Sequence, residues 1–165
     1  ISISEESDLI IMLGQWILRE ACLLLSKHRT NLFSLSVNIS PKHFHQPDFV
    51  NDVKAALQAT SAPPDHLILE ITEGLLLKGY EEVANKMQTL SGMGIRFSID
   101  DFGQGYSSLA YLKKLPISEL MIDKALIDGI PTDKNDTILV KTIYALASSL
   151  GMNVVAEGVE TEDQI

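Results

Sequence analysis

The chain is 165 residues long and 45% apolar, enough for one domain with its own core. A formal net charge of −9 and a pI near 4.8 exclude the basic stripe that a nucleic-acid polymer would need. A single cysteine, Cys22, excludes an internal disulfide framework and reads as a small core residue of an apolar helical run.

The first helix is expected from about Glu6 to His28, with Leu9, Leu13, Trp16 and Ile17 at helical spacing. Gln15, Arg19 and Glu20 interrupt its apolar run below the ~18 residues of a membrane span. With no secretory signature at the first residues, a cytoplasmic location is expected. A strand over Phe33–Ser40 follows, then a loop with Pro41 and Pro47, then a helix with Phe49, Val53 and Leu57 on one stripe. SAPPDH marks a turn before the strand Leu67–Thr72. A helix over Glu81–Leu90 presents Val83, Met87 and Leu90 and stops at Gly92 and Gly94. The strand Ile95–Asp100 runs into the glycine loop FGQGYSS and a short helix through Leu109 and Leu112. Then come the strand Glu119–Asp123, a helix over about Asn135–Leu150 with Leu139, Ile143, Leu146 and Leu150 on its stripe, and the strand Asn153–Ala156.

Five strands alternating with helices predict a parallel sheet with helices outside. An open doubly wound sheet and a closed (β/α) barrel compete. No glycine-rich dinucleotide fingerprint follows a strand. Functional-looking residues at several strand ends favour the barrel. A complete barrel takes about 250 residues, so the chain is expected to be a portion with about five strands and two raw edges.

Alternation along the strands sharpens the site. Asn38 shares a face with Ser34 and Ser36, Glu70 with Ile68 and Thr72, Asp100 with Arg96 and Ser98, and Glu157 with Asn153 and Val155. The opposite faces are apolar: Val37, Leu69, Phe97 and Val154 are examples. Each partly polar face thus finishes in a carboxylate or an amide. Such hard oxygen donors at strand ends suit Mg²⁺ or Mn²⁺ over zinc. Adjacent Asp100 and Asp101 point to opposite faces of a regular strand, so they serve one site only if the strand ends there. His43 and His45, in a proline-flanked loop, read as surface residues, and the glycine loop could cradle a phosphate.

The segments VNIS, LEITE, IDDFGQGYSSLAYLKKLPISEL, IDK and VVAEGVET, in this order, resemble the EAL domain family of bacterial cyclic di-GMP phosphodiesterases over nearly the whole chain. The resemblance implies a TIM-like barrel that hydrolyses cyclic di-GMP to linear pGpG with two Mg²⁺ or Mn²⁺ ions. By motif, Asn38, Glu70 and Asp100 would hold one ion, and Asp100, Asp101 and Glu157 the other. Asp101 and Glu157 would also serve the chemistry. Glu73 would steady the loop after DDFG, which includes Phe102, Gly103 and Gly105; Glu160 matches a further acid near the site, and Asp123 the aspartate of the family's KID motif. The resemblance further implies a homodimer through the DDFG loop, a fused sensory or diguanylate cyclase-like domain, and a place on the cytoplasmic side even in a membrane protein. The family's name motif is expected before Ile1, and its final strand after Ile165.

One departure lies inside the chain. Where the family has LKID, this chain reads LMID, so Met121 replaces the lysine that positions the attacking water. A thioether carries no charge and no donor, and Lys124 has the wrong parity to replace it. A phosphodiesterase slowed by ~10²–10⁴ is expected. The alternative is a degenerate receptor that binds cyclic di-GMP without turnover.

Overall fold

A computed structural model describes residues 9–28, 33–77, 79–103 and 112–164. Its framework is helix α1 (Leu9–Lys27), strand β1 (Leu35–Asn38), the one-turn helix α2 (Pro41–Phe44), α3 (Phe49–Thr60), β2 (Leu67–Thr72), α4 (Tyr80–Ser91), β3 (Arg96–Phe102), β4 (Glu119–Ile122), α5 (Lys124–Asp128), α6 (Lys134–Ser149) and β5 (Asn153–Ala156). Three 3₁₀ turns, Pro64–His66, Glu73–Leu77 and Glu162–Gln164, complete it. The start of the first helix, most of the glycine loop and the helix start at Leu109 lie outside the described residues.

The five strands form one parallel sheet in the order β1-β2-β3-β4-β5. Spatial order equals chain order, so the sheet has no point where the winding reverses, which a doubly wound fold requires. Right-handed crossovers then put every helix on one face and leave the other face as an interior. That is the TIM-like barrel expected from the strand pattern.

The core lies between the helices and the apolar strand faces. Leu67, Leu69, Ile71, Phe97, Ile99, Leu120 and Ile122 are buried against Phe49, Val53, Val83, Met87 and Ala147. Each fully buried side chain of this size stabilises the fold by about 1.5–3 kcal/mol. Side-chain caps fix helix starts: Ser40 accepts from the N–H of His43, and Asp133 from those of Asn135 and Asp136.

Several expectations need correction. The buried stripe of α1 is Leu18, Ala21, Cys22 and Leu25, whereas Trp16 is 60% exposed. The helix turns its C-terminal half toward α3 and β1, so the residues that pack lie one to two turns beyond the expected ones. By length and composition alone, this 19-residue helix is long and apolar enough to cross a membrane, despite Gln15, Arg19 and Glu20. His43 is wholly buried, because α2 wedges it beneath α1. Its ring lies edge-on to Phe49, with centroids 5.0 Å apart. It also lies on the bare backbone of Gly14, where a Cβ would come within 2.3 Å of Nδ1.

Candidate acidic site

The strand register brings the inward residues into rows. Asn38, Glu70, Ser98, Glu119 and Asn153 are successive register partners across all five strands. Thr72 and Asp100 pair in the next row. On β4 and β5, Met121 pairs with Val155. Asp123 and Glu157 follow directly at the strand ends. The acids rise toward the carboxyl end of the sheet like steps.

Between Ile99 and Phe102 the β3–β4 register slips. Ile99 pairs with Leu120 and Phe102 with Ile122, so Asp100 and Asp101 together stand opposite the single residue Met121. This two-against-one arrangement is a β-bulge. Asp101 takes the left-handed conformation with φ of 55°, which few non-glycine residues adopt. The Asp100 side chain accepts the Asp101 N–H at 2.8 Å and holds that turn. The strand therefore does not end at Asp100, as the sequence predicted; it continues to Phe102. The bulge reverses the alternation and turns Asp101 toward the acids beside Asp100.

Electrostatics record the convergence. Burial pushes Glu70 up from the usual carboxylate range, a hydrogen bond from Ser36 opposes the rise, and the charges of Asp100 and Glu119 add to it. Burial, a hydrogen bond to Asp123 and the charges of Asp100, Asp123 and Glu157 push Asp101 up to about 6. Glu157 is raised by burial and by Asp100, Glu70 and Asp123. Acids on β2, β3, β4 and β5 thus feel one another. Among the described residues, however, no three His, Cys, Asp or Glu side chains are gathered closely enough to form a ready-made metal site. Like charges repel, and a cation is what would draw them together. The donor set, all carboxylate and amide oxygen, fits a hard divalent cation.

The other expected residues take varied places. Asn38 ends β1 in register with Glu70 and is exposed. Glu73 is buried, and its Oε2 accepts the Gly103 N–H at 3.3 Å, joining the turn after β2 to the strand end of β3. Phe102 is buried in the core. Gly105 lies outside the described residues, as does most of the loop expected to carry a dimer contact. Asp123 caps α5 by accepting the Ala125 N–H. Met121 is partly buried on the inward face. Glu160 is paired with Lys124 at 2.8 Å. Motif order gave neither Glu119 nor Ser98 a role. In the structure Glu119 acts on Glu70, and the Ser98 hydroxyl is buried beside them with no hydrogen-bond partner among the described residues.

A parallel sheet wound in one direction, with carboxylates rising from the carboxyl ends of its strands, defines a TIM-like (β/α) domain with an acidic site. The chain belongs to the EAL domain family, whose profile matches residues 1–165. A bifunctional diguanylate cyclase/cyclic di-GMP phosphodiesterase of Pseudomonas aeruginosa, MucR, is 42% identical over 166 residues, covering 98% of this chain and 24% of MucR. The MucR phosphodiesterase in complex with cyclic di-GMP superposes with a TM-score of 0.93 over 99% of this chain and 72% of that structure. A manganese and cyclic di-GMP complex of BlrP1 from Klebsiella pneumoniae, 27% identical, superposes with a TM-score of 0.83, covering 95% of this chain and 40% of BlrP1. The chain spans about a quarter of the length of MucR.

Proposed function

We propose that this chain carries the catalytic site of a phosphodiesterase that hydrolyses cyclic di-GMP to linear pGpG with Mg²⁺ or Mn²⁺. One observation carries the reading: the β3 bulge sets Asp100 and Asp101 together opposite β4, within electrostatic reach of Glu70, Asp123 and Glu157. MucR and BlrP1 support it by likeness.

Asn38, Glu70 and Asp100 would hold one divalent ion, and Asp100, Asp101 and Glu157 the second. When bound, such a pair neutralises the phosphodiester and acidifies water. The chain's own residues prepare for this. Asp101, with its raised pKa, can accept or release a proton near neutral pH. Asp123 holds Asp101 in place through a side-chain hydrogen bond while its own orientation is fixed as the cap of α5. Glu73 fastens the strand end through Gly103.

Met121 supplies no amine on the inward face, and Lys124 does not replace it, because its Nζ is held by Glu160 and Asp128. That favours slow turnover and keeps a second reading in play: a receptor that binds cyclic di-GMP without cleaving it. The test uses the purified full-length protein with Mn²⁺, following linear pGpG over time beside a Met121→Lys variant. Metal-dependent product that Met121→Lys accelerates supports the enzyme. Tight nucleotide binding with no product in either protein supports the receptor.

A further inference from the structure

Two acids of the site stand just past the paired ends of β4 and β5. Asp123 follows β4 and caps α5, and Glu157 opens the loop after β5. Contacts outside the acid cluster join these loops. The Glu157 N–H donates to the Ile122 carbonyl at 3.1 Å. Lys124 Nζ donates to Glu160 Oε1 at 2.8 Å and lies 3.4 Å from Asp128 Oδ1. Gln164 bridges both sides. Its Oε1 accepts the N–H groups of Glu160 at 2.8 Å and Thr161 at 3.0 Å, while its Nε2 donates to the Ile127 carbonyl of α5 at 3.1 Å. Gly158 makes the fit possible. Its φ of 69° is a left-handed conformation, and a Cβ there would come within 2.5 Å of the Lys124 stem.

We infer that Lys124 and Gln164, closing over Gly158, form a clasp that positions Glu157 relative to Asp123 and Asp101 and so tunes how tightly the site gathers divalent cations. The inference rests on reading the acidic cluster as a divalent-cation site. An exposed ion pair such as Lys124–Glu160 contributes little stability by itself. Its value here is geometric. One side chain, Gln164, satisfies two loop N–H groups and reaches across to a helix carbonyl, so the loop after β5 moves with α5. The pairing also turns the Lys124 ammonium toward Glu160 and Asp128, where it does not compete with a cation for the cluster. Groups of this supporting kind commonly alter metal affinity by ten- to a hundredfold when removed.

The test titrates the full-length protein with Mn²⁺ alone by calorimetry, comparing wild type, Lys124→Ala, Gln164→Ala, the double variant and Lys124→Arg, each with a thermal melt in chelator. Expected are a roughly tenfold loss of Mn²⁺ affinity in each alanine variant, a double variant short of the summed effect because one clasp is being opened, retained affinity in Lys124→Arg, and unchanged melts in chelator. At saturating Mn²⁺ the KM for cyclic di-GMP is expected to stay constant. Wild-type Mn²⁺ affinity in both alanine variants overturns the clasp. So does a loss of affinity that tracks a lowered melt and persists in Lys124→Arg. Mn²⁺ binding without product formation would sink the phosphodiesterase reading while leaving the clasp judged by affinity. A wild type that binds no Mn²⁺ removes both.

Discussion

Asp101 and Asp123 are joined by a side-chain hydrogen bond where β3 and β4 end, and Asp101 is pushed up to about 6 by burial, that hydrogen bond and its acidic neighbours. A cation entering the cluster must displace this proton, so Mn²⁺ affinity is expected to fall as pH drops through about 6. Calorimetry between pH 5.5 and 7.5 checks this, and Asp101→Asn should flatten the dependence while lowering affinity. Stability without metal follows the opposite sign. The folded pKa lies above the unfolded value, so the stabilisation is full below about 3.9 and is lost as pH rises through about 6.

Met121 occupies the register slot directly across from the two aspartates. Installing an amine there is expected to raise kcat by ~10²–10⁴ if the site is an enzyme lacking one positioned cationic group. Single-turnover measurement of linear pGpG from Met121→Lys decides it, and an unchanged rate would show that the missing lysine is not what limits the site.

Glu73 is buried and accepts the Gly103 N–H. Glu73→Ala is expected to cost about 1.5–3 kcal/mol, the usual worth of a hydrogen bond to a charged group. Glu73→Gln, which keeps an acceptor, should cost less. Denaturant unfolding gives the stability difference, and Mn²⁺ titration should weaken in parallel if the strand end of β3 loosens.

His43 offers a second pH handle, remote from the acids. Its charged neighbour among the described residues is Asp52 on α3, whose Oδ2 is 3.9 Å from Nε2; Gly14 of α1 lies against the ring, and Gln15 donates to the same Asp52 oxygen at 2.8 Å. Burial lowers the His43 pKa, against a smaller opposing pull from Asp52. The folded pKa lies below the unfolded value near 6.5, so stability from this group is present above that value and is lost as pH falls below it. The melting temperature is expected to drop on acidification through pH 6.5, and less so in His43→Leu. Gly14→Ala should destabilise by about 1–3 kcal/mol, since the added methyl meets a ring that cannot retreat.

Much of this molecule was legible in one dimension. The strands Leu67–Thr72 and Asn153–Ala156 fall where alternation put them, and the others differ by a residue or two at their ends. Glu70, Asp100 and Glu157 could be placed on one face because side-chain direction in a strand repeats every two residues, a local rule that needs no fold. The same rule could not place Asp101. Its direction depends on a bulge created by the register between β3 and β4, and register is a property of two strands.

Burial of His43 was hidden for a related reason: its slot is made by Gly14, 29 positions away in sequence, and by the path of α1 over α2. The clasp through Gln164 likewise joins residues from separate elements. Local periodicity and motif order, set by backbone stereochemistry along the chain, determined the strands, their acidic ends and the family. The tertiary structure alone decided which acids face one another, which lysine is withdrawn from the site and which histidine is sealed from water, because those depend on distances between segments that only packing brings together.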